Sequence, residues 1–256
     1  QQHFPEVTKP SIYRLQTFGV GESTLQAIID DNLPNWSKDL TIGFRAAMPL
    51  LEVKLAPLNS QGVKALASYQ QALNLLLGDH ILHIGKSDKT TIAEYVVPLL
   101  TKSAQKITVA ESCTGGLIAS QITAIAGSSA VFEAGYVTYS NDMKTKMLDV
   151  PSTTLTNHGA VSEATVLAMA KGALEKSNAD YAIAVSGIAG PDGGTTDKPT
   201  GSVWIAWGTK ETLQAKYHYI PLARRQFQQV VAARGLDLIR RMLINSKERP
   251  NYERSS

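Results

Sequence analysis

The sequence predicts a three-layer α/β/α domain with a mixed, largely parallel sheet, preceded by a small α+β domain. Strands and helices alternate from about residue 89 onwards, a pattern typical of a sheet covered by helices on both faces. The first ninety residues differ, because alternating strands there surround one long amphipathic helix. A chain of 256 residues is long enough for one large domain or two modest ones.

The small domain is predicted over residues 1–88. Its strands alternate apolar and polar residues, and its long helix has leucines at helical spacing before a glycine. The predicted elements are a strand in SIYRLQTF, a short helix in GVGESTLQAIIDD starting near Gly21 or Ser23, two strands in LTIGFRAAMPLLEVKLAP separated near Pro49, a helix in SQGVKALASYQQALNLLLGD ending at Gly78, and a strand in HILHIG.

The second domain is predicted over residues 89–246, followed by a polar, frayed tail at 247–256. Ser162 is the expected N-cap of a long helix, with Glu163 in its first turn. In order, the elements are a helix in KSDKTTIAEYVVPLLTKSAQK interrupted near Pro98, strand Ile107–Ala110, helix Leu117–Ile125, strand Ala134–Tyr139, a short helix from about Asn141, helix Ser162–Lys176, strand Tyr181–Val185, strands Ser202–Trp207 and Leu213–Ile220, and helix Phe227–Leu243.

Composition excludes several classes of protein. The formal net charge is only +3 and its charges are scattered, which argues against a nucleic-acid partner. No apolar run reaches bilayer length and no secretory signal is visible, so we expect no membrane association. A single Cys fits a reducing cytoplasm. The five His lack metal-ligand spacing, and the start at Gln1 suggests a trimmed or partial chain.

Three predicted strands end in polar clusters, which are Glu111-Ser112-Cys113, Thr138-Tyr139-Ser140 and Ser186-Gly187. Ligands of open α/β sheets gather at the carboxyl ends of the strands. If these three strands are parallel neighbours, their clusters share one crevice. The sequence therefore predicts a binding or catalytic site there.

Ser112 and Cys113 are rival nucleophiles at one strand-to-helix turn. The amides of Thr114, Gly115 and Gly116 would face a ligand at this point and stabilise an oxyanion. Local preferences alone favour Ser112 or Thr114 as a simple N-cap, and burial of Cys113 as a small hydrophobe. No histidine is close to Cys113 in sequence, but His158 could come near it in space and act as a base for the thiol.

Lys144 is the candidate base for Ser112. It falls in the first turn of a short helix, where lysine is unfavourable because of the helix dipole. That potential and burial both favour the neutral amine, which can accept a serine proton. Tyr139 could relay a proton or stack on an aromatic ring, or it could be a core tyrosine with its hydroxyl at the rim.

The segment SGIAGPDGGTTDKPTGS, residues 186–202, is a glycine-rich loop without a Walker A or dinucleotide pattern. Its glycines let backbone amides approach a ligand closely, and loops of this length are often functional. Arg224 starts the last helix with Arg225 and could grip a phosphate, as could Lys198. Each of these cations could equally be solvated.

Four blocks in order, AESCTGGLIA, GSSAVFEAGYVTYSNDMK, HGAVSEATV and SGIAGPDGG…KPTGSVWIA, resemble the CinA C-terminal family, the nicotinamide-nucleotide amidases. The resemblance runs from about Ile107 to Ile244. Residues 10–90 resemble the KH-like middle domain of full-length CinA proteins. The resembled proteins carry a further N-terminal domain of molybdopterin-binding type, and we expect this sequence to lack that domain.

The resemblance implies deamidation of nicotinamide mononucleotide to nicotinate mononucleotide and ammonia, without a metal or other cofactor, in pyridine nucleotide recycling. It implies Ser112 as nucleophile, Lys144 as base and Tyr139 as its helper. It places Ser186, with Gly187 and Gly190 of the glycine loop, near the substrate, and Arg224 on the phosphate.

Homodimers are common in the resembled family, and we expect one here. The stretch LARRQFQ departs from the G-D-R-x-x-V-R pattern frequent in the family, since Leu222, Ala223 and Gln228 replace Gly, Asp and the second Arg. This departure keeps open a non-catalytic nucleotide-binding or regulatory module. The first domain lacks a G-x-x-G clamp in TFGVGES, so its KH-like pattern does not indicate RNA binding.

Overall fold

The computed structural model describes residues 12–254. The chain divides between Asp88 and Lys89 into two compact units. Within the described range, no helix is long and apolar enough to cross a membrane.

The first unit is a four-stranded antiparallel sheet with two helices. The strand order is β2-β3-β1-β4. The core includes Leu15, Leu25, Val53 and Leu73. The elements are β1 (Tyr13–Thr17), α1 (Glu22–Asn32), β2 (Leu40–Ala47), β3 (Leu50–Pro57), α2 (Ser60–Leu77) and β4 (Ile81–Ile84).

The second unit contains a five-stranded sheet of order β6-β5-β7-β8-β9. Strand β5 pairs in parallel with β6 and β7, whereas β8 is antiparallel to β7 and β9. The elements are α3 (Ala93–Ser103), β5 (Ile107–Glu111), α4 (Leu117–Thr123), β6 (Phe132–Val137), α5 (Asn141–Leu148), α6 (Ser152–His158), α7 (Glu163–Ser177), β7 (Tyr181–Gly187), β8 (Ser202–Gly208), β9 (Gln214–Tyr219), α8 (Arg224–Leu243) and α9 (Asn251–Arg254).

The two faces of strand β7 show why helices cover both sides of this sheet. Ala182 and Ala184 belong to the core beneath α7, whereas Ile183 lies beside α8. A Cβ on Gly235 of α8 would come 2.9 Å from the Ile183 side chain. Successive strand residues point to opposite faces, so this fully buried strand packs small residues under one helix and large ones under the other. The predicted three-layer fold class is confirmed.

Three details of the second unit differ from the sequence expectations. Helix α3 runs through Pro98 without interruption. The Glu94 carbonyl would accept from residue 98 in a regular helix, and it accepts instead from Lys89 Nζ at 3.2 Å, so it is not left without a hydrogen bond. Helix α6 was not predicted. The expectation of a frayed tail was wrong for Asn251–Arg254, since the Tyr252 hydroxyl is buried and donates to Asp237 Oδ2 at 2.7 Å.

Candidate active site

The carboxyl ends of β5, β6 and β7 meet at one edge of the sheet because these strands are parallel neighbours. A cavity of about 210 Å³ lies at this edge. It brings together residues from all three predicted clusters, together with the loop before α7 and the start of α8. Its lining residues are Ser112, Cys113, Tyr139, Asn141, Lys144, Ala160, Val161, Ser186, Gly187, Ala189 and Arg224.

Ser112 and Lys144 form a direct contact inside this cavity. Lys144 Nζ lies 3.2 Å from Ser112 Oγ, and it also donates to the Thr138 carbonyl at 2.9 Å. The lysine side chain is 0% exposed to solvent. The backbone holds the serine as well, since its amide donates to the Val185 carbonyl of β7 at 3.0 Å. A hydroxyl group and a side-chain amine are therefore within hydrogen-bonding distance in a buried position, which is the arrangement that a nucleophile and its base would need.

Helix α5 places the lysine where the sequence predicted it. Ser140 is the N-cap, and its side chain accepts from the Met143 amide, so Lys144 lies in the first helical turn. Burial lowers the pKa of the Lys144 ammonium below the usual lysine value of 10.5, because removing a cation from water disfavours the charged form. The uncharged amine has a lone pair that can accept the hydroxyl proton of Ser112.

Cys113 is packed rather than activated. Its side chain is buried, and burial raises the pKa of the thiol to about 12, with a further contribution from the nearby Glu111 carboxylate. A thiol with such a pKa is almost entirely protonated near neutral pH and is a poor nucleophile. His158 is exposed and is not among the cavity residues. The rival arrangement of a cysteine with a histidine base is therefore not formed.

The turn after Ser112 differs from the expected oxyanion site. Glu111 is fully buried, and its carboxylate accepts from the amides of Gly116 at 3.0 Å, Ile118 at 3.1 Å and Ala119 at 2.8 Å. The Gly115 amide donates to the Ser112 carbonyl at 3.2 Å. Gly115 and Gly116 are therefore wrong as oxyanion donors, because intramolecular acceptors already use their amides. Thr114 has no such amide partner among residues 12–254.

Tyr139 lies at the rim of the cavity rather than at its bottom. The residue is 61% exposed, and its hydroxyl accepts from Arg224 Nη2 at 2.8 Å. Lys144 reaches only its backbone carbonyl, at 3.5 Å. The structure therefore does not bring the Tyr139 hydroxyl to the Ser112–Lys144 pair, as a proton relay would require.

Ser186 and Gly187 line the cavity as the sequence predicted. The Ser186 hydroxyl is almost fully buried and donates to the Ala160 carbonyl at 2.7 Å. This bond leaves the oxygen lone pairs of Ser186 to accept from a ligand. Gly187 is required by close packing, because a Cβ there would lie 2.7 Å from the Ser202 carbonyl oxygen.

Arg224 links the rim to the glycine-rich loop. Its Nη1 donates to the Gly190 carbonyl at 2.9 Å, while Nη2 holds Tyr139. Gly190 has a φ of +74° and is not among the cavity residues, so it acts through Arg224. Lys198 is also away from the cavity lining and donates to the His158 carbonyl at 3.1 Å.

Gln228 has a role in the site that sequence reasoning missed. Its side-chain amide donates to the Cys113 carbonyl at 2.9 Å, so α8 holds the peptide group between Cys113 and Thr114. Ala160, Val161 and Ala189 were also missed as lining residues. Small apolar residues carry no chemical signal, and the Gln228 contact joins positions 115 residues apart. Among residues 12–254, no group of three or more His, Cys, Asp or Glu side chains is placed to hold a metal ion.

Comparison with known proteins gives a family for this chain. Residues 89–243 match the profile of the CinA C-terminal domain. A CinA-like protein of Colwellia psychrerythraea is 52% identical over 94% of this chain and 56% of its own length. A CinA-like protein of Shewanella denitrificans is 42% identical over 92% of this chain and 54% of its own length. The chain thus spans about half the length of these curated relatives.

Solved structures agree with this match. The competence/damage inducible protein CihA from Agrobacterium tumefaciens is 41% identical and has a TM-score of 0.57, over 60% of this chain and 94% of that protein. A CinA superfamily protein from Klebsiella pneumoniae is 34% identical with a TM-score of 0.58, over 60% of this chain and 96% of its own.

Proposed function

The chain belongs to the CinA family, and from this premise we propose that its second unit is an amidohydrolase of nicotinamide mononucleotide. The products are nicotinate mononucleotide and ammonia. One observation carries the proposal, namely that the buried Lys144 Nζ lies 3.2 Å from Ser112 Oγ and that both residues line the cavity. Serine and lysine at this distance form a nucleophile with its general base.

The reaction begins with transfer of the Ser112 proton to neutral Lys144. Ser112 Oγ then attacks the carboxamide carbon and forms a tetrahedral intermediate. The proton on Lys144 passes to the leaving nitrogen, the C–N bond breaks, and ammonia departs from an acyl-serine. Lys144 is then neutral again. It takes a proton from the water that attacks the ester, and it returns this proton to Ser112 Oγ as the acyl–oxygen bond breaks and nicotinate mononucleotide leaves. The bonds from Lys144 to Thr138 and Tyr139 carbonyls hold the amine in place throughout.

The negatively charged oxygen of the tetrahedral intermediate requires a hydrogen-bond donor near Ser112. We assign this part to the Thr114 amide, since the Gly115 and Gly116 amides are engaged elsewhere. Gln228 holds the carbonyl of the Cys113–Thr114 peptide. In a trans peptide the carbonyl and the amide hydrogen point in opposite directions, so this contact orients the Thr114 amide away from α8.

The size of the cavity fits part of the substrate. At about 210 Å³ it is below the range typical of complete small-molecule sites, which is roughly 300–1,000 Å³. The pyridine carboxamide would therefore occupy the cavity, and the ribose phosphate would extend to the rim. Arg224 is exposed at that rim and supplies a fork of donors for a phosphate.

Gln228 also favours a second candidate, a nucleotide-binding module without turnover. The Gln228 side-chain amide donates to the Cys113 carbonyl, whereas the resembled family often has a second arginine at this position. Such a module would bind nicotinamide mononucleotide through Arg224 and release no ammonia.

An ammonia-release assay separates the two candidates. It compares nicotinamide mononucleotide with nicotinamide, its riboside and NAD, and calorimetry measures binding of each compound. Release of ammonia from the mononucleotide supports the amidase. Binding of the mononucleotide without ammonia release contradicts the amidase and supports the module.

A further inference from the structure

Glu111 is a buried carboxylate beside the nucleophile, and the proposed chemistry does not use it. It is the last residue of β5, is 0% exposed, and has no cationic partner among the ion pairs of residues 12–254. Its acceptors are instead satisfied by the three amides of Gly116, Ile118 and Ala119. A buried charge is stable only when it is compensated, and amide donors to a carboxylate form strong, short hydrogen bonds.

These three bonds close a loop around Ser112. They join the end of β5 to Gly116 and to the first turn of α4. The turn between these two elements, residues 112–116, includes Gly115 and Gly116 at φ values of +65° and +98°. Glycines in this region give the backbone alternative conformations, so the turn needs an external constraint to keep one of them. Glu111 supplies that constraint from inside the turn, while the Val185 carbonyl holds the Ser112 amide from the neighbouring strand.

Neutral side chains begin other helices of this chain. Asn59, Ser140 and Ser162 cap α2, α5 and α7, and each accepts from one or two amides. Such caps satisfy helix amides without the cost of burying a charge. The carboxylate at α4 binds three amides and includes one from the turn itself, that of Gly116. It therefore does more than cap the helix.

We propose that Glu111 is a positioning residue for Ser112. Its carboxylate fixes the turn between β5 and α4, so that Ser112 Oγ stays within hydrogen-bonding distance of Lys144 Nζ. This inference rests on the proposed function, in which Ser112 is the nucleophile.

Glu111→Gln tests the proposal, because the amide nitrogen of glutamine is a donor and cannot accept from the backbone. Glu94→Gln is the matched control. Glu94 also accepts backbone amides at the start of a helix, those of Thr90 at 2.7 Å and Thr91 at 3.0 Å, and it lies outside the cavity. The readouts are kcat and KM for nicotinamide mononucleotide, measured well below the melting temperature of each variant, and hydrogen exchange at the amides of α4.

Glu111→Gln is expected to speed exchange at Gly116, Ile118 and Ala119 and to lower kcat about 10- to 100-fold, with KM within about threefold. Small misplacements of reacting groups have effects of this size. Glu94→Gln should keep kcat within about twofold. Faster exchange in Glu111→Gln with an unchanged kcat would overturn the proposal, because the carboxylate would then serve only the stability of the helix.

A second reaction separates this proposal from the proposed function. p-Nitrophenyl acetate acylates an activated serine with release of p-nitrophenolate, and peptide mass spectrometry locates the acetyl group. If the wild type releases no ammonia from the mononucleotide, the proposed substrate is wrong, but acetylation of Ser112 should still be about tenfold slower in Glu111→Gln. Equal acetylation rates would overturn the role of Glu111, as would a wild-type Ser112 that is not acetylated.

Discussion

Replacing Lys144 by methionine tests both the chemistry and the burial of this lysine. Methionine fills a similar volume without a charge or a proton-accepting nitrogen. Loss of a general base typically costs about 10²- to 10⁴-fold in rate, so ammonia release should fall by at least about a hundredfold. Retention of more than about a tenth of the wild-type kcat would refute Lys144 as the base.

The same substitution should change the pH dependence of stability. Burial lowers the pKa of Lys144 in the folded state, while the unfolded chain keeps a value near 10.5. Between these two values the unfolded state binds more protons, so wild-type stability rises with pH through that window. At pH values below both pKa values, the folded state carries the full free-energy penalty of burying the Lys144 ammonium. It amounts to about 1.4 kcal/mol for each pH unit that separates the two pKa values.

Two other contributions of Lys144→Met oppose each other. Methionine replaces a lysine stem that is itself buried, so its net gain is that of about one further apolar group, about 0.8 kcal/mol, and the Thr138 carbonyl loses its hydrogen bond at a cost of about 1–3 kcal/mol. Neither depends on pH. The stability of Lys144→Met relative to wild type should therefore be greatest at neutral pH and decline as the pH approaches 10.5.

Guanidinium unfolding between pH 7 and 10 measures this difference. Unfolding should be followed in a Trp36→Phe background, because Trp204 and Trp207 then report the second unit alone. A stability difference that does not vary with pH would refute the lowered pKa of Lys144.

The remaining predictions concern the thiol and the rim of the cavity. Burial raises the thiol pKa of Cys113 to about 12. Cys113 should therefore react with iodoacetamide at pH 8 at least about tenfold more slowly in the native protein than in the denatured chain, as measured by mass spectrometry. Equal rates in the two states would contradict the burial of the thiol. Arg224→Ala should raise KM for nicotinamide mononucleotide about 10- to 100-fold, the value of a charge-assisted hydrogen bond or two, and should leave activity on the riboside unchanged. Tyr139→Phe is the control for Arg224→Ala, since it removes only the hydroxyl to which Arg224 donates. The kcat of Tyr139→Phe should remain within about threefold of the wild-type value, and a much larger loss would indicate that the Tyr139 hydroxyl takes part in the proton transfer.

The fold of the second unit was predictable because its strands are short apolar runs with clear helical patterns between them. Helix α3 shows where such reasoning stops. A proline predicts an interruption, whereas the helix continues through Pro98. The contact by which Lys89 satisfies the Glu94 carbonyl needs the folded loop and cannot be read from the sequence. The buried Tyr252 is similar, because its partner Asp237 lies on a distant turn of α8.

Only part of the candidate site could be predicted from the sequence, because only some of its residues have a signal in their local sequence. Lys144 was detectable because it breaks a local rule of helix electrostatics, and Ser112 because it directly follows a buried strand. The role of Glu111 could not be predicted. Acidic residues at a strand end usually face solvent or a ligand, and only the backbone of the following turn shows that its own amides bind this carboxylate.

Ammonia release from nicotinamide mononucleotide by Ser112→Ala and Cys113→Ala tests the central claim most directly. The two positions are adjacent, so each variant is the control for the other. We expect Ser112→Ala to lose activity by at least about a thousandfold, because the nucleophile is removed, and Cys113→Ala to keep kcat within about threefold. An active Ser112→Ala beside an inactive Cys113→Ala would contradict the account and make the thiol the nucleophile.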